Sequence, residues 1–152
     1  MRVVDRSDER EGAIRDIRFC VGDPTGTPWE AQADEVLEEL APDEELGMVF
    51  GFLSDPDGIP GLIAQTNQRV IGLGDRPFIA IRLADLLKMR FVWTSWLDKL
   101  SRLRLTTVDG RTAIWDMRGD VVGVDHAIFG ALTEACPDLP DERLATLDPE
   151  AT

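Results

Sequence analysis

The residues able to do chemistry are few and far apart. His126, the single histidine of this 152-residue chain, sits beside Asp125. On the helix that the surrounding pattern predicts, adjacent residues point in different directions, so the two cannot form an acid–base dyad with each other. The histidine reads as a helix-surface or helix-capping residue. Cys20 and Cys136 have no CxxC spacing and no neighbouring histidine, the pattern of two idle or buried thiols rather than of a redox pair or a zinc site. Gly72-Leu73-Gly74 follows a strand-like run, but Asp75-Arg76-Pro77 stands where a phosphate cradle needs a third glycine and a helix start, so it reads as a turn. Asp55, Asp57 and Gly58 begin like a calcium loop without the later ligands. Nucleophile, base and metal ligands converge nowhere. The chain is expected to be non-enzymatic, with no catalytic residue, no cofactor and no metal.

Recognition is the chemistry that remains. Lys88-Met-Arg90-Phe-Val-Trp93-Thr-Ser-Trp96-Leu-Asp-Lys99 gathers two tryptophans and three cations, with Arg102 just beyond, and Trp and Arg are enriched at binding hot spots. Trp96 lies in a polar turn with Thr94, Ser95 and Asp98, where the core has less claim on it than on Trp93. Trp96, Lys99 and Arg102, with Lys88 and Arg90, are therefore the candidate partner-binding residues. The competing reading puts Phe91, Trp93 and Leu97 in the core and leaves the cations to solvent.

The charge distribution narrows the choice of partner. Residues 1–45 carry 14 acidic and 5 basic residues (−9), 46–118 carry 7 and 10 (+3), and 119–152 carry 8 and 1 (−7), giving the net −13. Phosphate backbones are repelled by such a field, which argues against nucleic acid. Acidic ends commonly serve solvation, although here they also flank a mildly basic middle. No apolar run approaches the roughly 20 residues of a membrane span, and the first ten residues lack the apolar centre of a signal peptide. The expected location is cytoplasmic.

The elements that must position these residues fit one domain, large enough to bury roughly two-thirds of its unfolded surface. Residues 1–26 read as a flexible tail or an edge strand, with Ile17, Phe19 and Val21 as its one apolar face. Thr27-Pro28-Trp29-Glu30 has the form of a capping box with proline at the first helical position. A helix should follow to Leu40, burying Trp29, Ala33, Val36, Leu37 and Leu40 and ending at Ala41-Pro42. Strands are predicted at 46–53, 61–66 and 68–74, with a reversal at Thr66-Asn67-Gln68. Further strands are predicted at 78–83 and 89–94, while Leu83–Met89 could instead form a helical turn. Asp109-Gly110 between β-rich runs predicts a two-residue type I′ hairpin with Leu105 opposite Ile114 and Arg104 opposite Trp115, a cation–π pair. Val124, Ile128, Ala131, Leu132 and Ala135 have helical spacing up to Cys136-Pro137, and 137–152 reads as an acidic tail.

Three short segments in this order carry a family likeness: Thr66-Asn-Gln-Arg-Val-Ile71, Ile81-Arg-Leu-Ala-Asp-Leu86 before a strand, and Leu103-Arg-Leu-Thr-Thr-Val-Asp-Gly110 before the last strand and helix. Over residues 35 to 136 the chain resembles the bacterial pleckstrin-homology-like (PH-like) domain. That resemblance implies an α+β, mainly β fold: a bent, partly open antiparallel barrel with an N-terminal helix and a capping C-terminal helix. The PH-like domain is expected over 27–136. The resemblance also implies binding rather than catalysis. PH domains that hold phosphoinositide headgroups place Lys and Arg around the first hairpin, whereas Ser54–Pro60 here has Asp55 and Asp57 and no basic residue. The expected role is a binding module acting through protein contacts or self-association. The alternative is peripheral binding to anionic lipid, with Trp96 inserting and Lys88, Arg90, Lys99 and Arg102 meeting headgroups.

Overall fold

The β-rich runs flanking Asp109-Gly110 fold as two strands, Leu100–Thr107 and Thr112–Arg118, on each of which every second side chain is buried. The structure is a computed structural model describing residues 5–74, 78–95, 97, 100–118 and 141–144. In chain order the elements are α1 (Ser7–Val21), α2 (Pro28–Glu39), β1 (Leu46–Ser54), β2 (Pro60–Thr66), β3 (Arg69–Leu73) and β4 (Ile79–Arg82). A single 3-10 turn, Leu83–Asp85, leads into β5 (Leu86–Ser95), β6 (Leu100–Thr107), β7 (Thr112–Arg118) and β8 (Asp141–Leu144).

The strands form one sheet in the order β4-β3-β2-β1-β7-β6-β5-β8. Neighbours among β1–β7 pair antiparallel, while β8 joins β5 in parallel. The halves β1–β4 and β5–β7 meet at a short seam, Leu53 opposite Arg118 and Ser54 opposite Met117. The sheet folds over along that seam, so that Phe50, Ile63 and Val70 of one half pack with Phe91, Leu103 and Trp115 of the other. Trp115 is fully buried there, and a Cβ on Gly72 would stand 2.7 Å from its Cζ2. Only glycine lets the indole lie against β3.

A second core lies on the opposite face of β1–β3. Val49, Leu62, Ala64, Ile71 and Leu73 point outward there and are covered by Ala13 and Ile17 of α1 and by Ala33, Val36 and Leu40 around α2. The Trp29 indole N–H donates to the Gly61 carbonyl at 3.0 Å, fixing α2 over β2. The predicted helix thus buries the expected stripe.

Four sequence expectations need correction. The segment expected as a tail or an edge strand instead carries the helix α1 over Ser7–Val21. The alternation of Ile17, Phe19 and Val21 is misleading, because Ile17 is buried while Phe19 is 87% exposed. The real pattern is the i, i+4 pair Ala13 and Ile17, too narrow to stand out without the sheet that receives it. The Thr27 side chain makes no cap bond; its hydroxyl donates back to the Pro24 carbonyl at 2.6 Å. Glu30 accepts from the Gly26 N–H instead.

The third correction is the hairpin. It closes on Thr107 and Arg111, with Val108-Asp109-Gly110 as a three-residue loop and Gly110 at φ +86°. Thr107 drives this choice: its hydroxyl donates to the Asp109 carboxylate and accepts the Arg111 N–H at 3.0 Å. The register moves by one residue, placing Leu103 opposite Trp115 and Arg104 opposite Ile114. A one-residue slip exchanges the faces of a strand, so Trp115 enters the core and the Arg104–Trp115 pair does not form. The fourth correction concerns the acidic tail, part of which, Asp141–Leu144, is a strand of the sheet. The predicted helix at 124–135, His126 and Cys136 lie outside the described residues.

Candidate functional site

The cations singled out in the sequence fall on the outer face of β5 and β6. Inward positions of β6 go to Leu103 and Leu105, so strand alternation turns Arg102 and Arg104 outward. On β5, buried Met89 and Phe91 likewise alternate with half-buried Lys88 and Arg90. The register sets Arg90 opposite Arg104, Lys88 opposite Thr106 and Val92 opposite Arg102. Like charges directly across a sheet cost stability. The register nonetheless brings the guanidiniums of Arg90 and Arg104 to the middle of the face.

Acidic relief comes from β7. Arg102 Nε lies 2.6 Å from Asp116 Oδ1, and Nη2 lies 3.4 Å from Oδ2, across the register pair Arg102–Asp116. Of the predicted site residues the structure brings together Lys88, Arg90 and Arg102, joined by Arg104, which the sequence pattern had paired with Trp115. Trp96 and Lys99 lie outside the described residues. Leu97 is 91% exposed, which corrects its placement in the core; Phe91 is buried as that reading required.

At the β1–β7 seam the tertiary structure supplies a cation that the first hairpin lacks in sequence. Arg118 at the end of β7 donates from Nη1 to the Pro56 carbonyl at 3.3 Å. Ile59 beside it and Phe78 before β4 are partly exposed.

The most elaborate polar network is elsewhere, and no sequence motif announced it. Glu44, in the link between α2 and β1, is buried. One carboxylate oxygen accepts from the Thr66 hydroxyl at 2.5 Å and from Arg69 Nε at 2.9 Å; the other accepts from Arg69 Nη2 and from the Ala41 N–H, each at 3.1 Å. Burial pushes this carboxyl up, but the bonds from Arg69, Thr66 and Ala41, with the charge of Arg69, outweigh it and hold the group below the ordinary value. Arg6 donates to the Glu44 and Ala41 carbonyls at 2.8 and 2.7 Å, and Glu9 accepts the Leu46 N–H at 2.6 Å. All carboxylate positions are taken up in holding α1, β1 and the β2–β3 turn together, so the network is structural. The signal that could have found it is weak: a Thr immediately before a two-residue turn, with Arg directly after it.

Cys20 is half-buried on α1, and burial pushes its thiol up, with Asp16 adding to the rise and the Gly51 backbone opposing it. A thiol held away from its thiolate is a poor nucleophile. Among the described residues no group of three or more His, Cys, Asp or Glu is arranged to hold a metal, and no helix is long and apolar enough to cross a membrane.

No family model and no curated protein matches the chain. Solved structures do match. The hSac2 domain from the human phosphoinositide phosphatase Sac2 aligns with a TM-score of 0.57 at 18% identity, covering 78% of this chain and 89% of that one. A pleckstrin homology domain from Shewanella amazonensis SB2B aligns with a TM-score of 0.50 at 17% identity, covering 68% of this chain and 86% of that one. The fold is PH-like. The PH-like sheet accounts for the bent antiparallel arrangement and the corner at β1 and β7, and the cation-bearing β5–β6 face is one wall of it.

Proposed function

We propose that this PH-like chain is a non-catalytic binding module acting through contacts with another protein, and that the outer face of β5 and β6 is its contact surface. The observation that carries the reading is the gathering of Lys88, Arg90, Arg102 and Arg104 on one face of a chain whose net charge is −13. A partner bearing an acidic surface is attracted by this face and repelled by the acidic N-terminal third, so the charge pattern orients the encounter as well as favouring it. The positioned groups are planar guanidiniums and one ammonium, suited to carboxylates, with no nucleophile or base among them.

A second reading has its own observation. Leu97, Ile59 and Phe78 are exposed apolar side chains in the links between strands, and the Sac2 domain belongs to a phosphoinositide phosphatase. Apolar loops near cations are what a peripheral anionic-membrane contact requires. Protein binding is preferred because the first hairpin carries Asp55 and Asp57.

The test pairs the wild-type chain with Arg102→Glu/Arg104→Glu, both checked by circular-dichroism melting. Immobilised wild type should retain proteins from a native lysate that the variant loses, and neither chain should pellet with liposomes containing phosphatidylserine. Salt-sensitive pelleting of the wild type, or equal retention by both chains, overturns the proposal.

A further inference from the structure

We infer that the outward face of α1 is a surface for a second copy of this chain, with the two α1 helices paired antiparallel about a twofold axis. This surface is separate from the β5–β6 face proposed above, and neither reading needs the other.

The polar side chains on the inward side of α1 are spoken for. Glu9 and Asp16 accept the Leu46 and Val49 N–H groups of β1 at 2.6 and 3.2 Å, and Arg10 pairs with Asp34 of α2 at 2.8 Å. On the outward side they are not. Asp8, Glu11, Arg15, Arg18 and Phe19 are all exposed, and steps of three and four residues set them on a single stripe. Its charges are ordered, acidic in the first half of the helix and basic in the second. Among the described residues Asp8, Glu11 and Arg15 make no side-chain hydrogen bond or ion pair, although Glu11 and Arg15 have the i, i+4 spacing for one; Arg18 has only a 3.9 Å contact with exposed Asp23. Phe19, one turn beyond Arg15, is 87% exposed. Gly12 lies mid-helix beside the stripe, where a Cβ would meet only Arg15 Nη2, at 3.6 Å. Glycine weakens a helix relative to alanine, and no contact within the chain calls for it here.

A single exposed apolar side chain is ordinary; the order of the charges around this one selects its partner. A stripe that runs from acid to base along a helix complements its own reverse. With the twofold axis level with Ala13, Asp8 faces Arg18 of the second copy and Glu11 faces Arg15 of the second copy, and the symmetry forms each pair twice. Gly12, one residue from the axis, lets the two backbones approach where they cross, and Phe19 reaches over the first turn of the other helix. A uniformly acidic partner or an anionic lipid surface would meet Asp8 and Glu11 as well as the arginines, so the second copy is the occupant that satisfies both halves. The contact is one helix of 15 residues against its twin, and the net −13 of each chain opposes it at long range. It therefore belongs to the small, reversible class of interfaces.

The experiment uses the full chain in sedimentation-equilibrium ultracentrifugation, where wild type should show a concentration-dependent monomer–dimer equilibrium. Asp8→Arg/Glu11→Arg makes the stripe wholly basic, and Arg15→Glu/Arg18→Glu makes it wholly acidic. Each should weaken the dimer about tenfold or more, and an equimolar mixture of the two should recover it as a heterodimer. A wild type that stays monomeric up to about 1 mM, a dimer indifferent to both reversals, or two variants that remain apart when mixed overturns the inference. If either reversal melts early by circular dichroism, Phe19→Ser decides, because Phe19 packs against nothing in the monomer that its exposure could hide. It should weaken the dimer about tenfold, and an unchanged dimer overturns the inference. Arg102→Glu/Arg104→Glu should dimerise as wild type does; loss of the dimer there would put the contact on the β5–β6 face and overturn the inference as well. Lysate retention by Phe19→Ser should equal that of wild type, so the protein-binding reading and this one fail separately.

Discussion

The two halves of the sheet solve burial differently. In β1–β3 both faces are covered, one by the folded-over sheet and the other by α1 and α2, and the strands read as near-continuous apolar runs: Val49 to Phe52, Gly61 to Ala64, Val70 to Leu73. In β6 and β7 one side chain in two is buried, and the other face keeps its arginines. The first half is built as an anchor, with helices fixed over it. The second is built as a wall with a polar outer surface, and the proposed contact lies on it. The helical layer thus belongs to one half and the contact surface proposed for a partner protein to the other.

Five measurements would break or sharpen that contrast. The largest effect is expected at Ile71, which is fully buried under the helices. Ile71→Ala should cost about 4 kcal/mol in urea unfolding, whereas a loss below about 1 kcal/mol would mean that the helical layer contributes little. Next is Arg69→Met, which leaves the buried Glu44 carboxylate without its cation and should cost about 3 kcal/mol.

The same pair predicts a pH dependence. The folded-state pKa of Glu44 lies below its usual 4.5, so its stabilisation is present above pH 4.5 and is lost as pH falls through the lower folded value. Wild-type unfolding free energy should therefore fall below pH 4.5. The gap between wild type and Glu44→Gln should shrink over the same window, and a constant gap would contradict the pairing.

In the second half the effects should be smaller. Gly110→Val forces a β-branched residue to φ +86° in an open turn where a Cβ meets nothing within 4 Å. The cost is therefore backbone strain without a clash, about 1.5 kcal/mol by thermal melting. An unchanged melting temperature would mean that the loop relaxes freely. The smallest effect is expected from Asp116→Ala. It breaks a half-exposed ion pair with Arg102, worth about 0.5 kcal/mol and fading in high salt. A loss as large as that at Ile71 would erase the distinction between anchor and wall.

Much of the wall was legible and much of the anchor was not. The alternation Leu103, Leu105 against Arg102, Arg104 is visible in the sequence because one face meets water. The strands at 46–53, 61–66 and 68–74 were found as apolar runs, but nothing in them said that two helices would cover their outer face. The face of α1 was hidden for the same reason: its contact is made by Ala13 and Ile17, a stripe so narrow that exposed Phe19 imitated a strand. Of the candidate site, Lys88, Arg90 and Arg102 share one face as their strand positions require, while the place of Arg104 depended on the turn.

Local chemistry by itself determined the helix from Pro28 onward, the strands β1 to β3 along the chain, and the places of the turns at Asn67-Gln68 and Asp109-Gly110. These follow from side-chain periodicity and turn propensity, which act over a few residues. Tertiary structure decided the rest. Arg69 reached Glu44 across the gap between turn and link; Arg118 reached Pro56; and Asp141–Leu144 came to lie beside β5. Each is a contact between residues far apart in sequence. Neither partner's local sequence specifies it, because the free energy of such a contact depends on the geometry that all the other elements supply.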